Sequence, residues 1–230
     1  MKTIGLIGGM SWESTITYYE ILNTLVRENM GGFHSARIIL FSVDFAEIEA
    51  FQTANQWQEA GQLLADAAKS LEAAGADFLV LCTNTLHKVS DQITAATRLP
   101  FIHIADALTE EIQRKEYKKV GLLGTKYTMG ESFYQDRLHK AGIEVLVPSV
   151  EDQNTVNMVI FNELCMGRIE KQSREFYMKV IHDLAAEGAE AIVLGCTEIG
   201  LLINQEDMPE IPLLDTVPLH ARKAFDFAVD

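Results

Sequence analysis

The sequence predicts an α/β fold of two similar lobes, each built on a parallel sheet. Short apolar runs alternate with segments of helical period, the second half of the chain repeats the first in order and spacing, and glycine-bearing turns follow several of the runs. Continuously apolar strands alternating with helices belong to parallel sheets covered on both faces.

The strands are expected in this order: TIGLIGG (3–9), ARIILFSVD (36–44), ADFLVLC (76–82), PFIHIAD (100–106), KVGLLGT (119–125), EVLVPS (144–149), AEAIVLGC (189–196) and IPLLDT (211–216). Helix-period stretches separate them. Phe176, Val180, Ile181 and Leu184 line one such face, and Gly188 is placed to end that helix.

The repeat has three parts. KTIGLIGGMSWESTITYYEIL from Lys2 matches KKVGLLGTKYTMGESFYQDRL from Lys118, a step of 116 that sets Gly5, Gly8, Tyr18 and Leu22 over Gly121, Gly124, Tyr134 and Leu138. LEAAGADFLVL from Leu71 matches LAAEGAEAIVL from Leu184, a step of 113, and Pro100 matches Pro212, a step of 112. Any two βα units look alike, but common order and spacing favour duplication. Duplicated lobes predict a pseudo-twofold, with a ligand in a cleft where the carboxyl ends of both sheets face each other.

Composition narrows the function. The net charge of −14 argues against a nucleic-acid backbone or an anionic membrane as partner, and requires local donors for any anionic substrate. Three cysteines without a CxxC predict neither a disulfide framework nor a structural metal site. His34, His139, His182 and His220 show no metal spacing, and His103 reads as a core residue within its strand. GxGxxG and GxxxxGK[ST] are both absent, so nucleotide binding is poorly supported. With neither a membrane-length apolar run nor a long signal-peptide core, a cytoplasmic protein is expected.

Two cysteine-bearing turns carry the chemistry. Aligned on Gly75 and Gly188, Cys196 falls opposite Thr83, and Cys82 opposite Gly195. A one-residue shift on a strand reverses the side chain, so Cys82 is expected in packing. Each turn precedes a helix start, which makes Cys196 a candidate thiolate with an anion site beside it. A buried inert cysteine is the alternative. The glycine turns serve either as tight connections or as donors through the Met10 amide, Ser11, Thr125 and Thr128. His87 lies one turn past the first motif, near the site or in packing.

VLCTNTLHK, IVLGCTEIGLLI, GLIGGMSWEST and the LGT…YTM turn together resemble the aspartate/glutamate racemase superfamily, which also holds hydantoin racemases, maleate isomerases and arylmalonate decarboxylases. The resemblance spans essentially the whole chain. It implies two Rossmann-like lobes related by a pseudo-dyad (1–98 with 208–230, and 99–207), a C-terminal strand returning to the first lobe, a homodimer, and no cofactor. The superfamily's racemases set two cysteines on opposite faces of the substrate Cα. Here Cys196 matches the second and Thr83 stands where the first is usual. The resemblance carries Asn84, Thr85, Thr125, Thr128 and Thr197 over as holders of an amino-acid or dicarboxylate substrate, with Met10 and Gln52 as weaker candidates. No basic residue follows the second strand in VDFAEIEAF; Arg174 is a possible substitute for holding a side-chain carboxylate, unless it forms a helix-face salt bridge. A racemase of aspartate or glutamate is the leading expectation. A one-cysteine decarboxylase or isomerase is second, and a non-catalytic amino-acid-binding relative third.

Overall fold

Strands form at all eight apolar runs: β1 (Ile4–Gly8), β2 (Ile38–Ser42), β3 (Phe78–Leu81), β4 (Phe101–Ile102), β5 (Lys119–Gly124), β6 (Glu144–Leu146), β7 (Ala191–Gly195) and β8 (Leu213–Asp215). The computed structural model describes all 230 residues and has two units, residues 1–104 with 220–230, and residues 105–219. Each unit holds one four-stranded parallel sheet, ordered β2-β1-β3-β4 in the first and β6-β5-β7-β8 in the second.

The sequence repeat is also a repeat of strand pairing. Ile7 lies opposite Leu81 in the first sheet and Leu123 opposite Leu194 in the second. Ile7 to Leu123 is the step of 116, and Leu81 to Leu194 the step of 113. On the far side Leu79 faces Phe101 and Ile192 faces Leu213, which reproduces the steps of 113 and 112. Glycine is required where β5 meets β7: a Cβ on Gly124 would fall 2.8 Å from the Gly195 carbonyl, and one on Gly195 2.8 Å from the Leu123 carbonyl.

Helices cover the central strands. In the first unit α1 (Trp12–Met30) follows β1, α2 (Phe45–Thr53) and α3 (Trp57–Ala73) follow β2, and α4 (Ser90–Ala96) follows a 3-10 turn at Thr85–Val89. Leu64, Ala68 and Leu71 of α3 recur at helical spacing and are buried in one cluster with Leu79 and Leu81. In the second unit α5 (Ile104–Arg114) precedes β5, whereas α6 (Lys126–Gly130), α7 (Ser132–Lys140), α8 (Val150–Asn162), α9 (Lys171–Ala186) and α10 (Ile199–Leu202) lie between β5 and β8. Val180, Ile181 and Leu184 of α9 pack with Ile192 and Leu194. Strands β1, β3 and β7 are buried throughout. The edge strand β2 departs from the expected cover on both faces, leaving Leu40 and Phe41 exposed.

The chain crosses between units after Ile104 and again before His220, later than the expected boundaries at 98/99 and 207/208. Both end strands stay with the sheet whose edge they extend, since β4 pairs with β3 and β8 with β7. Helix α11 (Thr216–Val229), not the last strand, therefore makes the return.

That return is held at both ends. Lys2 N donates to the Ala228 carbonyl and Lys2 Nζ to the Phe227 carbonyl, both at 2.8 Å, and the Phe227 ring meets Phe78 edge-on. His220 is fully buried and bonds the Ile102 carbonyl through Nε2 and the Tyr18 hydroxyl through Nδ1, each at 2.8 Å. A carbonyl can only accept, so Nε2 carries the proton and Nδ1 accepts from Tyr18. Burial pushes His220 down to about 4 from 6.5.

The neutral imidazole's contribution is present above pH 6.5 and is lost as pH falls toward 4. Asp215, pushed up to about 6 by burial, acts with the opposite sign. Subtracting the unfolding free energy of His220→Phe from that of the wild type cancels such groups. By denaturant titration that difference is expected to shrink by about 3 kcal/mol between roughly pH 7 and pH 4. A pH-independent difference would mean His220 titrates normally.

Candidate active site

In the second unit, β5 and β7 end side by side at Gly124 and Gly195, and the site residues follow each. Thr125 caps α6: its Oγ1 accepts from the Thr128 amide at 3.3 Å and lies 3.3 Å from the Thr128 hydroxyl, with both side chains buried. Cys196 and Thr197 follow Gly195 and are buried. The Cys196 thiol donates to Glu198 Oε2 at 3.0 Å, and the Thr197 hydroxyl donates to the same oxygen at 2.9 Å. Glu198 is itself buried, so a carboxylate sits beneath the thiol out of solvent.

This arrangement corrects the expected thiolate. A helix N-terminus was to lower the Cys196 pKa, but α10 is a single turn and the neighbouring charge is negative. Burial first, then the Glu198 carboxylate and the Cys165 thiol, push Cys196 well above its ordinary value. Cys196 therefore rests as a thiol, with its proton already directed at an acceptor.

In the first unit the equivalent turn leaves β3. The Thr83 amide donates to the Leu81 carbonyl at 2.9 Å, and the Thr83 carbonyl lies 2.7 Å from His87 Nδ1. Thr83, Asn84 and Thr85 are all buried. By the sheet registers Thr83 is the counterpart of Cys196, Asn84 of Thr197 and Thr85 of Glu198; the first turn thus has no carboxylate. Cys82, the counterpart of Gly195, is wholly enclosed, and burial raises its thiol. Met10 leaves β1 beside this turn and is buried with Val43, Ile48 and Leu81. Gln52 is buried in the last turn of α2.

The structure thus gathers Met10, Gln52, Thr83, Asn84 and Thr85 in one unit, and Thr125, Thr128, Cys196 and Thr197 in the other. Arg174 is engaged by the Asp207 carboxylate, an ion pair reaching outside its own helix rather than along the helix face. Sequence reasoning missed Glu198; its signal was an acidic residue two places after a cysteine inside an otherwise apolar stretch. No group of three or more His, Cys, Asp or Glu side chains is placed to hold a metal ion. No helix is long and apolar enough to cross a membrane.

A family model described as Asp/Glu/Hydantoin racemase matches residues 7–224. The chain is 28% identical over 158 residues to the broad-specificity amino-acid racemase RacX of Bacillus subtilis, covering 69% of this chain and 67% of that protein. It is 52% identical to a Yersinia pestis protein solved as a candidate Asp/Glu racemase, with a TM-score of 0.92 and full coverage of both chains. It is 36% identical to an aspartate racemase homologue from Pyrococcus horikoshii, again over both full chains, with a TM-score of 0.85.

A raised thiol predicts slow alkylation. Iodoacetamide at about pH 8 is expected to modify the Cys196 peptide more slowly than an unfolded control, by mass-spectrometric mapping. Glu198→Gln removes the adjacent negative charge and is expected to speed that modification several-fold. Slower or equal modification in the variant would show that Glu198 does not hold the thiol proton.

Proposed function

Because the chain belongs to the Asp/Glu/Hydantoin racemase family, we propose that it racemises an acidic amino acid, aspartate or glutamate, without a cofactor. Cys196 serves one face of the substrate Cα and Thr83 the other. The observation that carries this reading is the buried Cys196 thiol bonded to Glu198, at the turn whose counterpart presents Thr83.

The thiol proton passes to Glu198, and the resulting thiolate removes the Cα proton of one enantiomer. Thr83 delivers a proton to the opposite face, directly or through water, and solvent restores its hydroxyl. In the reverse direction the resting thiol is already a proton donor. A hydroxyl is a far weaker acid than a thiol, so removal of a proton by Thr83 is the slow event. The equilibrium between enantiomers is unaffected, so catalysis remains reversible in both directions. Asn84, Thr85, Thr125, Thr128 and Thr197 hold the substrate's carboxylate and amine, with Met10 and Gln52 beside them. The resting thiol also suits a second reading, decarboxylation or isomerisation of a dicarboxylate, where one donor suffices to protonate a carbanion.

Incubation with L- and D-aspartate and L- and D-glutamate in deuterated water, followed at the Cα proton by NMR, tests the proposal. Exchange with formation of the opposite enantiomer is expected, and Cys196→Ala should abolish it. Glu198→Gln should lower turnover by roughly 100-fold while the thiol becomes more easily alkylated. Thr83→Cys should speed exchange of the poorer enantiomer. Carbon dioxide release from a malonate, without exchange of any amino acid, would replace this reading with the second.

A further inference from the structure

We infer that His87 is a positioning residue that aims Thr83, by holding the Thr83 carbonyl from below. The imidazole is buried and both ring nitrogens are used. Nδ1 lies 2.7 Å from the Thr83 carbonyl, and Nε2 lies 3.2 Å from the Ile104 amide. A backbone amide can only donate, so Nε2 accepts and the ring proton sits on Nδ1, directed at Thr83. The tautomer is thus set by Ile104, the residue after which the chain leaves the first unit.

With its carbonyl held by His87 and its amide by Leu81, Thr83 has both backbone polar groups committed. That fixes the direction of its Cα–Cβ bond and confines the hydroxyl to the staggered rotamers about it. The ring is in turn boxed in: its centroid lies 4.3 Å from that of His103, 5.5 Å from Phe101 and 5.9 Å from His220.

Nothing equivalent exists at the other turn. The step of 113 puts Gly200 in the place of His87, and the step of 112 puts Asp215 in the place of His103. A Cβ at Gly200 would overlap the Asp215 carboxylate, which now fills that space. The Cys196 carbonyl is instead taken by the Ile199 amide at 3.1 Å. Cys196 is aimed through its own sulfur by Glu198, whereas Thr83 is aimed through its backbone by His87.

The inference rests on Thr83 serving the reaction as proposed above, and paired variants separate the two. Asn at 87 keeps an amide N–H where Nδ1 stood and loses the Nε2 acceptor; Gln keeps its polar end near Nε2 and loses the donor to Thr83. The readout is the ratio of Cα deuteration rates for the two enantiomers, alongside thermal midpoints. His87→Gln is expected to slow exchange of the Thr83-handled enantiomer by about tenfold more than that of the Cys196-handled one. His87→Asn should restore most of the ratio despite a similar loss in thermal midpoint. Equal slowing of both enantiomers, or equal ratios in the two variants, would overturn the inference. If Thr83→Ala leaves the ratio unchanged, the role of Thr83 itself fails. If Thr83→Ala shifts it and His87→Gln does not, only the role of His87 fails.

Discussion

The parallel pairing of β1 with β3, and of β5 with β7, is the constraint on which the candidate site depends. Hydrogen bonds between parallel strands lock one register, and that register decides which residue of each turn leaves the sheet first. A slip of one residue in the first sheet would bring Cys82 to the position of Thr83 and turn the hydroxyl to the other face. Packing guards against this. Cys82 fits an enclosed space, whereas its counterpart in the second sheet must be glycine because the β5 backbone lies too near.

Much of this was legible in the sequence. The apolar runs located all eight strands, and the steps of 116, 113 and 112 reappear as matching registers in the two sheets. Those pairings in turn assign Cys82 to packing. This worked because strands buried on both faces leave an unbroken apolar record and because closely packed turns tolerate few residue types. Edge strands are less constrained, so β2 could leave Leu40 and Phe41 in solvent without a sequence warning.

What was not legible involves residues brought together across space or by turn geometry. The turn after β7 suggested only a helix start, and it is the path of that turn that directs the Glu198 carboxylate to the Cys196 thiol. That reverses the expected direction of the thiol's shift, because burial and then the Glu198 charge outweigh the partial charge of a one-turn helix. The Arg174–Asp207 pair spans 33 residues and could not be inferred from helical spacing. The crossings at Ile104 and His220 are similarly set by sheet edges rather than by composition.

The return of α11 to the first unit bears on how the chain is made. Residues 1–104 lack part of their packing until Ala228, Phe227 and His220 are available to Lys2, Phe78, Tyr18 and Ile102. Residues 105–219 need nothing made after them, whereas the first unit's four strands, all made before Lys119, still await residues 220–230. During synthesis the middle of the chain can thus complete its fold while the earlier-made segment waits on the ribosome for its last helix. The order of completion inverts the order of translation. Phe78, Tyr18 and the Ile102 carbonyl stay open to wrong partners for as long as that helix is missing.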